Sequence, residues 1–395
     1  MKKIIFLIFI ILNGCDPSWP EGPYSPCQNI AFILTSDFRE GSFSTIEINN
    51  LITYKDLGLQ QIHSDALVKD SPFDSNLYII NRQGRDNIQL INPYNNWQTE
   101  KEISTGQNSN PIDLVFTSSS RFYVARYNRS FLWEINLLTE EKISEIDLSP
   151  WANQANSGQN KNIPHMQSLY LDGNKYLFIA LQRLQDNWHP SSYSSVLVFK
   201  TKDHSFIKEI KLEWYESGNL IRPTNPYTNL KFVSRDIWQP NPADNHDHLL
   251  VSCTGEFGNF QQLDGGIIAI DIQDQNCEPG FIIKEEEIQM EIIDFTVKSA
   301  SNIYAVTSKL EGDQFISKLI NYNPISKNFT ILKENKENLG QLVSLEIHSS
   351  GKLFLADQKI TLPGIWVYDT NNNDQLLNQN PINVGLPPSN IIFYE

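Results

Sequence analysis

The stretch of sequence that decides the fold spans residues 110–148 and consists of four short apolar runs. These runs are Asn110-Pro-Ile-Asp-Leu-Val-Phe116, Arg121-Phe-Tyr-Val-Ala-Arg-Tyr127, Ser130-Phe-Leu-Trp-Glu-Ile-Asn136 and Glu141-Lys-Ile-Ser-Glu-Ile-Asp-Leu148. Each run is rich in β-branched and aromatic residues and is followed by turn formers, which predicts four strands of an antiparallel meander. Only the last run alternates apolar and polar residues, so we expect it to be the outer strand, with one face in water.

The same pattern recurs along the chain. A lone four-stranded sheet of this size cannot bury its apolar faces, so it needs copies of itself as neighbours. Further complete sets of four strands are predicted in residues 64–104, 165–212, 229–284, 290–333 and 341–384. Together with residues 110–148 they make six complete units.

The two ends of the chain supply the strands of one more unit. Runs at 29–37, 44–49 and 51–57 have no first strand before them, whereas the run 390–394 has no strands after it. Pairing the two ends closes the ring and removes exposed sheet edges. The sequence therefore predicts an all-β fold, a seven-bladed β-propeller closed by pairing of the C-terminal strand with the N-terminal blade. An open β-solenoid and two β-sandwiches are the alternatives.

The first 14 residues have the pattern of an export signal. Lys2 and Lys3 precede an unbroken apolar run at 4–12, which is too short to span a bilayer as a helix but typical of a signal-peptide core. The segment Leu12-Asn-Gly-Cys15 resembles a bacterial lipobox, and the resemblance implies that Cys15 becomes the acylated, for example palmitoylated, mature N-terminus. An ordinary secretory signal with an incidental cysteine is the alternative.

Three regions follow from these patterns. Residues 1–14 are predicted to be a lipoprotein signal peptide, residues 15–28 a lipid-anchored tether rich in proline, and residues 29–395 the β-propeller.

The net charge of −15 and the pI near 4.9 argue against a nucleic-acid partner, because neutralising phosphates needs a basic surface. We expect contact with the membrane only through the lipid on Cys15.

The sequences of blades 3 and 4, residues 110–148 and 165–212, are similar to those of the YVTN-type propeller lipoproteins of the bacterial envelope. The similarity is carried by Tyr123-Val-Ala-Arg-Tyr127 in blade 3 and by Met166-Gln-Ser-Leu-Tyr-Leu-Asp-Gly173 in blade 4. The resemblance implies a fold and a location in the cell envelope more than a reaction. The outer membrane is favoured, and the periplasmic face of the inner membrane is the alternative because Asp16 resembles a retention signal.

Long loops break the regular pattern in blades 3 to 5. Residues 149–164, 183–193, 213–227 and 255–265 all connect strands on the same face of a propeller. Long loops clustered on a rigid scaffold are where binding usually occurs. The predicted ligand-binding residues are Trp151, His165, Gln167, Gln182, Arg183, Asp186, Trp188, His189 and Tyr193, with Trp214, Arg222 and Phe257 as further candidates. Such aromatic, amide and guanidinium groups suit sugars or peptide segments, although the loops could also pack only on one another.

No metal site, cofactor or catalytic set is predicted. His165 and His189 with Asp186 lack a ligand spacing such as His-x-x-x-His. The two rings of the segment His246-Asp-His248 are not expected to reach one ion, and the segment is interpreted as a solvated turn on the opposite face.

Two carboxylates occupy equivalent positions on first strands. Asp113 and Asp294 could be catalytic or bind an ion near the channel, as in propeller lactonases. We expect them instead to accept hydrogen bonds from backbone amides.

Besides Cys15 the chain has three cysteines, Cys27, Cys253 and Cys277, so at most one pair can form. Cys253 and Cys277 are expected at opposite ends of one blade, which disfavours their pairing. A disulfide between Cys27 and Cys277 would require the tether to cross the lower face.

The function that these observations favour is that of an exported, lipid-anchored binding or scaffold module, with an envelope protein or glycan as its partner. The chain is thus expected not to be an enzyme. The alternatives are a lactonase-like or quinoprotein-like enzyme with its site in the central channel, and a docking component of an envelope assembly machine.

Overall fold

A computed structural model describes residues 29–58, 61–173, 175–238, 245–256, 262–337 and 341–394. The predicted signal peptide, the lipobox and the tether lie outside the described residues. Within the described part of the chain, no helix has the length and apolar character needed to cross a membrane.

The strands form seven antiparallel sheets arranged as the blades of a β-propeller. Blade 1 holds β1 Ile30–Ser36, β2 Gly41–Glu47 and β3 Thr53–Tyr54, and blade 2 holds β4 Ala66–Asp70, β5 Leu77–Asn81, β6 Asn87–Asn92 and β7 Gln98–Ser104. Blade 3 holds β8 Pro111–Ser118, β9 Arg121–Arg126, β10 Phe131–Asn136 and β11 Glu141–Asp147, and blade 4 holds β12 Met166–Asp172, β13 Tyr176–Leu181, β14 Ser195–Lys200 and β15 Phe206–Lys211. A separate hairpin of β16 Trp214–Glu216 and β17 Asn219–Ile221 follows blade 4.

The remaining strands complete the ring. Blade 5 holds β18 Lys231–Val233, β19 His248–Cys253, β20 Gly266–Asp271, β21 Asn276–Cys277 and β22 Ile283–Lys284, and blade 6 holds β23 Glu291–Ser299, β24 Asn302–Glu311, β25 Gln314–Asn323 and β26 Asn328–Glu337. Blade 7 holds β27 Leu342–Ile347, β28 Lys352–Asp357, β29 Gly364–Asp369 and β30 Gln375–Leu376, and β31 is Pro388–Tyr394. The described helices are α1 Glu285–Ile288 and two 3-10 turns, Pro93–Asn95 and Ser149–Trp151.

The ends of the chain meet in blade 1, as the sequence predicts. Strand β31 is the innermost strand of that sheet and pairs antiparallel with β1, with Ile391 opposite Ile33 and Tyr394 opposite Ile30. The seven-bladed fold and its mode of closure are therefore confirmed.

The burial pattern follows the position of each strand in its blade. All five residues of β5 are buried, whereas most of β7 and β11 is exposed, because only the outer strands have one face in water. Each of seven apolar clusters joins two neighbouring blades, for example Phe122 of blade 3 with Tyr78 of blade 2. The core is thus a series of interfaces between blades.

Blade 6 differs from its predicted boundaries. Its four strands were expected to end at residue 333, but β26 continues to Glu337 beside a long hairpin in which β24 ends at Glu311 and β25 begins at Gln314. The turn is tight because Gly312 has a φ of +63°, which favours glycine. The extension was not predicted because it contains polar residues, which interrupt the apolar pattern of a strand. These residues form ion pairs with one another, in which Glu311 pairs with Lys309 and Lys336.

Side chains on the first strands tie neighbouring blades together. Oδ2 of Asp113 accepts a hydrogen bond from the backbone of Leu169 at 2.8 Å, and Oδ2 of Asp294 accepts one from Leu345 at 3.2 Å. In both cases the donor belongs to the first strand of the next blade. The expectation that these two carboxylates accept backbone amides is confirmed.

Candidate functional site

The long loops of blades 3 and 4 pack directly on each other. Asp186 accepts hydrogen bonds from the backbone of Ser157 at 2.9 Å and Gly158 at 3.0 Å. These N–H groups hold the pKa of the Asp186 carboxyl below its ordinary value. The side chain of Asn160 also donates to the carbonyl of Gln185 at 2.5 Å. Asp186, a predicted contact residue, is therefore occupied in shaping the loops.

Three further predicted residues also take part in loop packing. The Arg183 guanidinium lies 3.7 Å from the centre of the Tyr193 ring, and its Nε donates to the carbonyl of Trp151 at 2.8 Å. The Trp151 ring packs on Phe206 with the ring centres 4.9 Å apart. Trp151, Arg183 and Tyr193 do not line the cavity described next.

A cavity of about 350 Å³ opens between blades 3, 4 and 5 on the face that carries the long loops. Its lining consists of Tyr127, Gln182, Leu184, Asn187, Trp188, His189, Asn225, Tyr227 and Glu256. Of the residues predicted from sequence, the structure brings Gln182, Trp188 and His189 together here. Their binding role stays a prediction, and the cavity's volume lies within the range of roughly 300–1,000 Å³ typical of small-molecule sites.

His165 lies directly behind this lining. Its ring centre is 5.2 Å from that of Tyr127 and 5.5 Å from that of Trp188, and the residue is only 1% exposed. Neither ring nitrogen has a hydrogen-bond partner among the residues that the structure describes. Burial lowers the pKa of His165 from 6.5 to about 4, so the ring is neutral at physiological pH. A buried imidazole with both nitrogens unsatisfied is costly and needs an explanation.

The backbone of His165 also has an unusual, left-handed conformation. It has a φ of +56°, and the equivalent residues before the first strands of blades 3 and 5, Asn110 and Asn225, have φ values of +49° and +58°. The carbonyls of all three accept a hydrogen bond from the residue that follows the second strand of their blade. Asparagine suits this left-handed conformation, so the histidine of blade 4 is the exception to the repeat.

Trp188 also has a left-handed backbone conformation, as His165 does. Its φ is +68°, which is rare for a bulky residue, and its side chain remains 47% exposed above His165. Strained residues of this kind tend to cluster at functional sites, where the surrounding structure fixes them.

The polar groups of the cavity floor are fixed in orientation. The Tyr127 hydroxyl donates to Oε1 of Gln182 at 2.6 Å, and Nε2 of Gln182 donates to the carbonyl of Pro226 at 3.1 Å. Gln167, another predicted residue, lies below and donates to the carbonyl of Tyr227 at 2.5 Å. At the rim, Nδ1 of His189 lies 2.7 Å from Oε1 of Glu256, which links the loops of blades 4 and 5.

The charges around the cavity exclude one class of ligand. Among its described lining residues there is no lysine or arginine, and Glu256 is the one carboxylate. The charge of Arg82 reaches Tyr127 and Tyr227, but Arg82 is already paired with Asp65 at 3.0 Å. An anionic ligand would therefore find no unpaired cation in the described lining, whereas amides, hydroxyls and an exposed indole suit a neutral ligand.

The central channel contains a second cavity of about 430 Å³, lined by first strands of blades 1, 2, 5, 6 and 7. Within it, Nζ of Lys231 lies 3.1 Å from Asp294 and 3.6 Å from Glu346. On another side of the ring, Nζ of Lys69 lies 2.8 Å from the buried Asp113. Both equivalent carboxylates thus combine an ion pair with backbone hydrogen bonds, an arrangement that stabilises the ring.

The cysteine predictions are tested only in part. Within the described part of the chain, Cys253 and Cys277 form no disulfide with each other, as expected from their places in blade 5. Cys27, the other predicted partner of Cys277, lies outside the described residues. The pairing of Cys27 with Cys277 stays a prediction, as does the lipidation of Cys15.

Several lining residues could not be found from sequence patterns. Tyr127 follows a regular strand in a blade with short loops, and Tyr227 and Asn225 precede the first strand of blade 5. They reach the cavity only because neighbouring blades bring them together. The one signal in the sequence is that His165 stands in blade 4 where blades 3 and 5 have asparagine, at positions 110 and 225.

Comparisons with known proteins support the fold. No protein-family model matches the chain, and a comparison with curated proteins finds no match. Among solved structures, the chain is similar to hydrazine synthase of Kuenenia stuttgartiensis, with a TM-score of 0.57, 13% identity, and coverage of 82% of this chain and 87% of that chain.

Two other solved propellers illustrate the same similarity. A quinoprotein alcohol dehydrogenase-like protein from Bacteroides thetaiotaomicron matches with a TM-score of 0.56 and 13% identity, covering 94% of this chain and 79% of that one. The periplasmic gluconolactonase of Pseudomonas aeruginosa matches with a TM-score of 0.53 and 11% identity, covering 93% and 99%. At such low identity these similarities show the β-propeller fold alone.

Proposed function

We propose that this chain is an exported, lipid-anchored β-propeller of the bacterial envelope that binds a neutral, polyhydroxylated ligand, such as an oligosaccharide segment. The ligand occupies the cavity between blades 3, 4 and 5. The observation that carries the proposal is the buried imidazole of His165, which has no hydrogen-bond partner in the described part of the chain and lies behind the exposed indole of Trp188. The ring nitrogens are closed to solvent, so a ligand hydroxyl reaches His165 only when the Trp188 indole moves aside, and it would then satisfy a polar group for which the described residues supply no partner.

The chemistry of the lining supports this ligand class. The exposed face of Trp188 offers an apolar surface for a sugar ring, as amphipathic aromatic side chains do at binding sites. The amides of Gln182, Asn187 and Asn225 provide donors and acceptors around it. Because no cation lines the described part of the cavity, a phosphate or carboxylate ligand is disfavoured.

The binding role is favoured over catalysis. The channel carboxylates Asp113 and Asp294 already have lysine and backbone partners, so they are not free to act as an acid and base pair. A periplasmic enzyme shares the fold, which is consistent with an extracytoplasmic location but does not assign a reaction.

Replacing Trp188 by alanine should abolish ligand capture. We expect purified wild-type chain to bind neutral glycans on an array of neutral and acidic oligosaccharides, and Trp188→Ala to bind them about tenfold or more weakly, because the stacking surface is lost. Tyr215→Ala is the matched control, since Tyr215 is an aromatic residue of the long loop 213–227, 75% exposed and not part of the lining. Equal binding by Trp188→Ala and Tyr215→Ala would refute the assignment of the cavity.

The anchor is tested separately. Replacing Cys15 by serine should move the protein from the membrane fraction to the soluble exported fraction, because the acylated thiol is the only membrane contact proposed. Immunoblotting of separated fractions measures the change. Membrane association that survives the substitution would contradict the lipid anchor without affecting the binding proposal.

A further inference from the structure

Five potential metal ligands gather on the face of blade 5 opposite the long loops. His248 begins β19, Asp271 ends β20 and these two residues are direct partners in the antiparallel register. His246 precedes the first of these strands, and Asp274 and Glu278 follow the second. This position is independent of the proposed ligand cavity.

The structure corrects the interpretation of this segment as a solvated turn. His248 is fully buried, and Asp271 is only 1% exposed. Residues two apart on an extended chain point to the same side, so both imidazoles can face the strand that carries Asp271. The burial comes from the neighbouring strand and from Trp238, whose ring centre lies 5.1 Å from that of His248.

The donor atoms converge on the Asp271 carboxylate. Nδ1 of His246 lies 2.6 Å from Oδ2 of Asp271 and 3.9 Å from Oδ2 of Asp274, and one ligand atom from each of the three residues lies within 4.8 Å of the others. Asp271 also forms a second group of the same kind with His248 and Glu278. One buried carboxylate thus belongs to two histidine-containing clusters.

The local charge balance leaves room for a cation. Among the described residues, the ion pairs of Asp271 involve histidine and no lysine or arginine, and its Oδ1 accepts only the backbone N–H of Asp274 at 2.7 Å. The nearby Arg235 lies against Asp247, at 3.6 Å. A buried carboxylate without a permanent positive partner is expensive, and a bound cation would remove that cost.

We propose that His246, Asp271 and Asp274 bind a divalent transition-metal ion, with water completing its coordination. Imidazole and carboxylate ligands together suit a borderline ion such as Zn²⁺ better than Ca²⁺, which prefers six to eight oxygen atoms. Bonds of about 2.0–2.2 Å place ligand atoms roughly 3.3 Å apart around a tetrahedral ion. On binding the ion, the distance between Nδ1 of His246 and Oδ2 of Asp271 would increase from 2.6 Å, and the distance between Nδ1 of His246 and Oδ2 of Asp274 would decrease from 3.9 Å. Each distance would change by less than about 1 Å.

The proposed ion joins the two turns of blade 5. His246 belongs to the connection before the second strand, whereas Asp271 and Asp274 belong to the turn after the third strand. His248 and Glu278 each have a ligand atom within 4.8 Å of the Asp271 carboxylate as well. Binding should therefore stabilise the folded chain, since the unfolded chain has no such arrangement.

The test uses purified, untagged wild-type chain that has been stripped with a chelator. Titration with Zn²⁺ alone, followed by calorimetry and by thermal unfolding, should show one ion per chain and a higher melting temperature. His246→Ala and Asp271→Asn should each weaken Zn²⁺ binding about tenfold or more. His246→Ala changes a partly exposed side chain, so it remains informative if Asp271→Asn fails to fold.

The control variant is His63→Ala, which removes one of the seven histidines of the chain outside the cluster and should bind Zn²⁺ as wild type does. Absence of Zn²⁺ binding by the wild-type chain would overturn the proposal. Unchanged binding by His246→Ala would overturn it as well, and tighter binding of Ca²⁺ than of Zn²⁺ would overturn the assigned class of ion.

Discussion

Replacing Asp113 by alanine is expected to lower the free energy of unfolding by about 3–5 kcal/mol. The carboxylate is completely buried and lies 2.8 Å from the ammonium group of Lys69. It also accepts hydrogen bonds from the backbone of Leu114 and Leu169 and from the hydroxyl of Ser168, at 2.8–3.1 Å. Alanine would leave four donors unpaired at the junction of blades 3 and 4.

Chemical denaturation followed by circular dichroism measures this effect, and Asp294→Ala is its matched control. Asp294 occupies the equivalent position in blade 6, but its side chain is 19% exposed and its partner Lys231 keeps Glu346 at 3.6 Å. The control should therefore lose less stability. A loss below about 1 kcal/mol for Asp113→Ala would show that the buried carboxylate does not hold the blades together.

Replacing His165 by asparagine should remove a pH dependence of stability worth about 3 kcal/mol. The folded chain holds the pKa of His165 at about 4, whereas the ordinary value is 6.5. Between these two pH values the unfolded chain binds a proton that the folded chain does not. The contribution is therefore fully present above pH 6.5 and is lost as the pH falls towards 4.

Comparing wild type with His165→Asn separates the contribution of His165 to the pH dependence of stability from the contributions of other titrating groups. The unfolding free energy of wild type minus that of His165→Asn should fall by about 3 kcal/mol as the pH falls from about 6.5 to about 4. Asparagine already occupies the equivalent left-handed positions 110 and 225, so the variant should fold. His63→Asn, at a site outside the core, should keep the wild-type slope. An identical slope for wild type and His165→Asn would mean that the imidazole is not held neutral by burial.

The fold could be predicted because its signals are local and repeated. The second strands, such as Leu77–Asn81 and Lys352–Asp357, contain unbroken apolar runs, at 77–80 and 353–356, since they are covered on both faces. Closure could be predicted because the N-terminal unit lacks a first strand and Pro388–Tyr394 lacks later ones. Both inferences need only the order of short runs along the chain.

The site could be predicted only as a region. The long loops of blades 3 to 5 indicate the correct face, but residue type does not tell a loop-packing side chain from a ligand contact. Asp186 and Arg183 carry polar groups suited to binding, yet they are used within the loops. Tyr127 and Glu256 reach the cavity through the juxtaposition of blades, which no short sequence pattern encodes.

The partners of side chains on the face opposite the long loops could not be predicted from sequence either. His246 and His248 were interpreted from their own segment, whereas their burial and their shared carboxylate depend on the adjacent strand β20. A side chain's partner across a sheet is set by register, and register is settled by the whole blade.

The most direct test of the proposed site is the binding of His165→Asn to the same oligosaccharide array at neutral pH, where this variant is expected to be folded. Asparagine is shorter than histidine and does not reach the position of Nε2. The account predicts that wild type binds neutral rather than acidic glycans and that His165→Asn loses about tenfold or more of that binding. Undiminished binding by His165→Asn, or a wild-type preference for acidic glycans, would contradict it.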